Sequence, residues 1–364
     1  MRVLLLTTDA YGGHGGIALY NRDLADALAA MPNVAEVVVI PRTLPFAADG
    51  VPDKVRYLAQ AAGSKRRYVS AALRSAASAF DLLICGHINL LPLAALLRYK
   101  LHCPLVLMAY GIDVWTRPKW WTRIWLRQLS AVWSISAVTR DRMNAWAQLP
   151  EARYRLLPNA IHLDRYGLAP KSPTLLDRYG LRGHKVLLTL ARLPSADRYK
   201  GVDEVLEMLP TLLEDEPRLR YLVAGDGDDR PRLQAKAQAL GLQAHVVFAG
   251  MIDEAEKADH FRLADVFVMP GRGEGFGFVF LEALACGVPV VGSQIDGSRE
   301  ALRDGELGEL VDPRDADSVR VGIVRALQKP IAIPPGLEFF DWPNFCARLQ
   351  AAIASLLPSG SARP

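Results

Sequence analysis

Eleven short, mostly apolar runs alternate along this chain with stretches whose apolar residues recur every three or four positions. The runs lie at 3–8, 34–40, 82–85, 105–109 and 131–135 in the first half, and at 186–190, 220–224, 245–248, 266–269, 288–291 and 308–311 in the second. Strands apolar on both faces are what a parallel sheet covered by helices on both sides requires. The spacing of Ile17, Tyr20, Leu24, Leu28 and Met31 is helix spacing, and helices are likewise predicted at 202–213 and 231–239. The β-α-β pattern halts near the middle and starts afresh, which predicts an α/β chain of two doubly wound halves. A length of 364 residues agrees, since one core rarely organises more than about 250–300.

Pro158, Pro170, Pro173, Gly180 and Gly183 punctuate a polar stretch without sustained period, placing the joint near Tyr166. The expected domains are 1–165 and 166–341. A last amphipathic stretch, 342–357, has no strand after it, and its stripe of Phe345, Leu349, Ile353 and Leu356 needs a partner. It is predicted to cross back, so that 342–364 join the first domain, with a frayed Ser/Gly/Pro-rich tail at 358–364.

Hydrophobic residues make up 51% and charged residues 23%, which excludes disorder. The longest apolar runs fall well short of the ~18 residues that cross a bilayer, and the N-terminus enters a strand with no cleavage site, so a cytoplasmic protein is expected. Cys85, Cys103, Cys286 and Cys346 form no Cys-x-x-Cys pair and read as reduced core thiols rather than zinc ligands or disulfides. Residues 1–165 hold 20 Lys/Arg against 11 Asp/Glu, a balance of +9, while the remainder stands at −5. Six of the seven tryptophans also fall in the basic half, which points to an anionic or amphipathic partner. The segment Arg117, Lys119, Trp120, Trp121, Arg123, Trp125 and Arg127 has the composition of an interfacial helix, and predicts peripheral docking on an anionic membrane surface. Lys65, Arg66 and Arg67 read instead as charges solvating a helix. A nucleic-acid partner is not expected.

Two glycine loops carry chemistry. Gly12-Gly13-His14-Gly15-Gly16 joins the first strand to the first helix, and Gly13-x-Gly15-x-x-Ala18 formally fits a dinucleotide fingerprint. It is either a tight turn or a backbone that lets phosphate reach the helix amides. No acidic residue follows the second strand, which ends Pro41-Arg42, so NAD finds no ribose partner there. The second loop follows the strand at 266–269 and reads Pro270 to Gly277, with a helix beginning near Gly277 and stopping at Gly287. Glu274 precedes that helix and Glu282 lies about a turn and a half inside it. The amides of Phe276, Gly277 and Phe278 can face an anion, and the two carboxylates can hold hydroxyls on either side of it. Arg192, after the strand at 186–190, and Lys200, before Gly201, stand where a diphosphate needs cations.

The combination Arg192 with Lys200-Gly201, Gly225-Asp226-Gly227, Glu274-x7-Glu282 with Phe276-Gly277, Gly287-x-Pro289-Val290 and Gly297-x-x-Glu300 resembles the retaining glycosyltransferases of family 4, which have the GT-B fold of two Rossmann-like domains facing a cleft. The resemblance implies transfer of a hexose from a nucleotide diphosphate sugar, GDP-mannose or a UDP-hexose, to a glycan or lipid-linked acceptor hydroxyl. It implies retained anomeric configuration, no metal and no cofactor beyond the donor substrate. Arg192 and Lys200 would hold the diphosphate, Glu282 the ribose, Glu274 and the backbone of Phe276 to Phe278 the sugar and distal phosphate. Groups near Met251 and Arg272 would read the base, and Gly15 and Gly16 would close from the first domain, which binds the acceptor. Many members place a histidine after the strand corresponding to 105–109, where this chain has Tyr110; the hydroxyl of Tyr110 is expected in its place, or a contact from His87 or Asp113. A nucleotide-sugar epimerase of the same architecture, and an NAD(P)-dependent oxidoreductase, are the alternative readings.

Overall fold

A computed structural model of the full chain describes residues 1–13 and 15–357. The expected fraying of 358–364, and His14 of the first glycine loop, lie outside the described residues.

The chain forms two parallel sheets. The first has seven strands, β1 (Arg2–Thr7), β2 (Glu36–Pro41), β3 (Val55–Tyr57), β4 (Leu82–Gly86), β5 (Leu105–Ala109), β6 (Ala131–Ser134) and β7 (Tyr154–Leu156), in the order β3-β2-β1-β4-β5-β6-β7. The second has six, β8 (Lys185–Leu190), β9 (Leu219–Ala224), β10 (Val246–Gly250), β11 (Val266–Val268), β12 (Val290–Ser293) and β13 (Glu309–Val311), ordered β10-β9-β8-β11-β12-β13. All eleven expected strands are present, with ends shifted by at most two residues. The edge strands β3 and β7 were not expected: each has three residues, of which only the first is buried, so neither shows an apolar run.

The central strands are buried on both faces, as in β1, where Val3 to Leu6 are fully inaccessible. Leu5 stands between Val39 of β2 and Ile84 of β4. In each sheet the strand order reverses beside the first strand, between β1 and β4 and between β8 and β11. Such a switch point opens a crevice at the strands' C-terminal ends, where doubly wound sheets bind ligands.

The structure divides into two compact units, residues 1–160 with 343–364, and residues 161–342. The division falls five residues before the expected boundary, because Ile161 is already tied to the second unit by a backbone bond of 2.8 Å to the Phe340 carbonyl. The helix Trp342–Ala354 crosses back into the first unit, ending three residues earlier than expected. There the fully buried Phe345 meets Tyr20 edge-on at 5.8 Å between ring centres. Burying a side chain of this size contributes about 1.5–3 kcal/mol.

Candidate functional site

In the second unit the polar groups gather at the C-terminal edge of β8 and β11, the switch point of that sheet. Arg192 follows β8 and is exposed. Lys200 ends a short turn and precedes Gly201, whose φ of +87° and close approach to the Pro270 backbone, 2.8 Å from an added Cβ, admit only glycine. The helix Val202–Asp215 starts immediately afterwards. The glycine loop after β11 is pinned against this turn: the Arg272 amide donates to the Tyr199 carbonyl at 2.8 Å. Lys200 Nζ donates to Glu274 Oε2 at 2.7 Å, so the two loops exchange opposite charges at their tips.

Glu274 is further fixed through its backbone. Its amide donates to Asp296 Oδ2 at 2.9 Å, and its carbonyl accepts from the Gly297 amide at 2.9 Å. Burial pushes the Asp296 carboxyl up to about 6, against the bonds it accepts from the Ser298 and Glu274 amides. The helix Phe278–Ala285 follows, one residue after the expected start, and its first-turn amides have no acceptor within the helix. Gly287 takes the left-handed conformation at φ +78°, as expected of the residue past its end.

Glu282 does not face solvent from this helix. It is 3% exposed, and its Oε1 accepts from Lys257 Nζ at 2.6 Å and from the Tyr166 hydroxyl at 2.8 Å. Its Oε2 is buried and has no hydrogen-bond partner among the described residues. Burial opposes the charge of Lys257, but Glu282 and Glu254 outweigh it and hold the ammonium above the usual lysine range. Burial and the neighbouring Glu282 likewise raise Tyr166. Neither Lys257 nor Tyr166 is a site residue in the sequence reading, since they lie 25 and 116 residues from Glu282. The signal for them was present in Phe278-Val279-Phe280-Leu281-Glu282-Ala283-Leu284, a helix apolar all round, whose single carboxylate must be buried and therefore paired.

Arg272 forms an ion pair with the buried Glu204, which ties its guanidinium to the helix Val202–Asp215. Met251, beyond β10, is 86% exposed. Phe276 is buried against Phe340, so only its backbone is available to a ligand. Arg198 pairs with the buried Asp229 at 3.1 Å, while Lys200 reaches Glu274.

In the first unit the glycine loop after β1, His87 after β4 and Tyr110 after β5 again share one C-terminal sheet edge. The tight-turn reading of this loop holds at Gly13. A Cβ on Gly13 would lie 2.2 Å from Asp9 Oδ2, which requires a tight turn, whereas one on Gly15 would meet nothing within 4 Å. Gly15 and Gly16 are both exposed at the start of the helix Gly16–Ala30.

Tyr110 does not offer its hydroxyl in place of an imidazole. The side chain is buried, its hydroxyl donates to Asn21 Oδ1 at 2.5 Å, and its ring meets Tyr20 edge-on. Burial raises this hydroxyl well above the usual tyrosine range. His87 is half-buried, and its Nδ1 accepts from the Asn89 amide at 3.1 Å, which leaves the other ring nitrogen to carry the proton. Burial lowers its pKa, so the ring is neutral at pH 7. Asp113 accepts from the Tyr110 amide at 3.1 Å through Oδ1, while its buried Oδ2 has no partner among the described residues. Burial pushes this carboxyl up to about 7.

The tryptophans divide. Trp133 is fully buried, and Trp115, Trp125 and Trp146 pack on the core of the first sheet. Trp120 and Trp121 stay exposed, 68% and 46%, with the Lys119 ammonium 4.8 Å above the Trp121 ring. The helix Lys65–Ser75 carries Lys65, Arg66 and Arg67 on an exposed face, as the sequence reading expects. Its Lys65, Arg66 and Arg74 share that face with the exposed apolar side chains of Val69 and Leu73. Among the described residues no helix is long and apolar enough to cross a membrane, and no group of three or more His, Cys, Asp or Glu is placed to hold a metal ion.

Two doubly wound units, with a returning C-terminal helix and a cation-carboxylate cluster at the second switch point, define the GT-B class. Residues 14–165 match the family described as Glycosyltransferase Family 4, and residues 178–334 that described as Glycosyl transferases group 1. The chain belongs to the family 4 glycosyltransferases. It is 32% identical over 247 residues to a phosphatidyl-myo-inositol mannosyltransferase of Mycobacterium leprae, covering 66% of this chain and 60% of that protein. It is 37% identical over 204 residues to a GDP-mannose-dependent alpha-(1-6)-phosphatidylinositol monomannoside mannosyltransferase of Mycolicibacterium smegmatis, covering 54% and 52%. The matches thus span about half to three fifths of these relatives' own length. Among solved structures, sucrose-phosphate synthase from Thermosynechococcus elongatus superposes with a TM-score of 0.78 at 21% identity, over 99% of this chain and 100% of that one. The Anabaena protein Alr3699/HepE in complex with UDP gives 0.72 at 21% identity, over 98% and 100%.

Proposed function

We propose that this chain is a retaining, metal-independent mannosyltransferase that uses GDP-mannose and a lipid-linked acceptor. The observation that carries a donor site is Glu282. A carboxylate 3% exposed, with one oxygen held by Lys257 and Tyr166 and the other unmatched, is a buried acceptor waiting for hydroxyl donors, as a ribose supplies. Arg192, Lys200 and the N-terminus of the helix Phe278–Ala285 supply positive charge for a diphosphate, and Glu274 accepts from the hydroxyls of the sugar beyond it. The names of the relatives favour GDP-mannose over a UDP-hexose.

As the anomeric bond breaks, negative charge grows on the diphosphate, and fixed cations and amides stabilise that charge as it forms. A departing phosphate oxygen takes the acceptor's proton on the same face, so configuration is kept and no protein nucleophile is required. Neutral His87 at the edge of the first sheet is the imidazole nearest in character to the family histidine, and we assign it to hydroxyl contacts in place of Tyr110.

The first unit offers the membrane face. Trp120, Trp121 and Ile124 are exposed beside Lys119 and Arg123, and the exposed helix face of Lys65, Arg66, Val69, Leu73 and Arg74 adds a second small apolar patch flanked by cations. Such surfaces bind anionic bilayers reversibly. The test is product mass spectrometry after incubation with GDP-mannose, UDP-glucose or UDP-galactose and a phosphatidylinositol-containing lipid extract, with and without EDTA. A glycolipid 162 mass units heavier, formed only from GDP-mannose, insensitive to EDTA and α-linked by NMR, supports the reading. Product from a UDP-hexose alone would replace the donor, and conversion of the donor without any acceptor would favour an epimerase.

A further inference from the structure

The Lys200–Glu274 ion pair joins the two groups that the proposed reaction assigns to different parts of the donor. Both side chains are less than one-fifth exposed and meet at 2.7 Å. Their backbones cannot drift apart to make room. Gly201 abuts the Pro270 backbone, the Arg272 amide is bound to the Tyr199 carbonyl, and Glu274 is tied by its amide to Asp296 and by its carbonyl to Gly297. A ligand that uses Lys200 must therefore draw the ammonium away by side-chain rotation alone.

We infer that this pair is a latch by which the site discriminates an intact nucleotide sugar from a free nucleoside diphosphate, an inference that rests on the donor-site reading above. A free nucleoside diphosphate takes Lys200 for its terminal phosphate. It then leaves the half-buried Glu274 carboxylate without its cation and beside a second anion, which is costly in a partly desolvated site. A nucleotide sugar carries hydroxyl donors immediately beyond that phosphate. It satisfies both halves of the opened pair, the ammonium by phosphate oxygen and the carboxylate by sugar hydroxyls. Loss of the sugar in the reaction restores the unpaired carboxylate, so the same latch weakens the hold on the spent nucleotide and hastens its release.

The consequence runs against ordinary expectation for a binding residue: removing the charge of Glu274 tightens the nucleotide product. Calorimetric titration of the full-length protein with GDP and with UDP checks it in the wild type, Glu274→Gln, Lys200→Met and the double variant, at low and high salt. In Glu274→Gln the dissociation constant for the nucleotide that the wild type binds should fall about tenfold at low salt, within the range for partly buried charge pairs, and less at high salt. In the Lys200→Met background the same Glu274→Gln change should leave affinity for that nucleotide within about twofold, because no latch remains to be opened. Unchanged or weaker nucleotide binding by Glu274→Gln overturns the latch while leaving the donor site intact. An equal gain in both backgrounds also overturns it, since plain like-charge repulsion would then suffice. Failure of the wild type to bind either nucleotide overturns the donor-site reading itself.

Discussion

Replacing Lys257 by methionine removes the cation beneath Glu282 while keeping the length and apolar body of the side chain. Nζ sits 2.6 Å from Oε1, with the two side chains 11% and 5% exposed, so the carboxylate left behind keeps only the Tyr166 hydroxyl. Breaking a buried pair by removing one partner costs about 3–5 kcal/mol. For a unit of about 180 residues each kcal/mol moves the midpoint by about 2–4 °C, so Tm should fall by roughly 6–20 °C. Differential scanning calorimetry reads this directly. Adding Glu282→Gln to Lys257→Met should restore most of the loss, because the neutral amide needs no counter-ion. If single and double variants melt together, the loss reflects packing rather than charge, and the reasoning fails.

Arg192→Ala and Lys200→Ala should each lower kcat/KM by roughly 2–4 kcal/mol of transition-state stabilisation, while Glu282→Ala mainly raises the donor KM and Glu274→Ala mainly lowers kcat; steady-state kinetics with GDP-mannose separates these. Burial raises Asp113 to about 7, so the stability it contributes is complete below the ordinary carboxylate range and is lost as pH rises through 7. Asp113→Asn should therefore gain on the wild type between pH 5 and pH 8 in thermal melts, and a constant difference would contradict the burial of that charge. The wild type should sediment with anionic vesicles at low salt and less so as salt rises, with about 1 kcal/mol lost for each basic residue removed near the surface. Replacing Trp120, Trp121 and Arg123 together by alanine should abolish most of that binding.

The sheets were legible in the sequence wherever a strand is buried on both faces, because there the apolar run is the strand. They were illegible at β3 and β7, where Val-Arg-Tyr and Tyr-Arg-Leu pair along one edge and leave most of their side chains outside the core. The position of Glu274 before its helix, and of Glu282 within it, followed from glycine spacing alone. What their carboxylates touch did not, since Lys200, Lys257 and Tyr166 arrive from other loops and the pairing is a property of the folded sheet edge. Tyr110 shows the opposite failure. A hydroxyl at the end of a strand reads as a ligand contact, yet the neighbouring Asn21 and Tyr20 draw it inward, where it joins the packing of the first sheet.

The first unit is closed by residues that leave the ribosome only after the whole of the second unit. Tyr20 meets Phe345 only after residues 161–342 have been synthesised, about 10–40 s later at ordinary elongation rates. During that interval the nascent N-terminal unit lacks the helix that covers the Tyr20 ring. The unfinished half displays a hydrophobic scar while the other half is still being made. A chaperone that recognises exposed aromatic surface would thus find its target in this nascent half, and a stop codon just ahead of Phe345 would injure a unit encoded mostly upstream of residues 161–342.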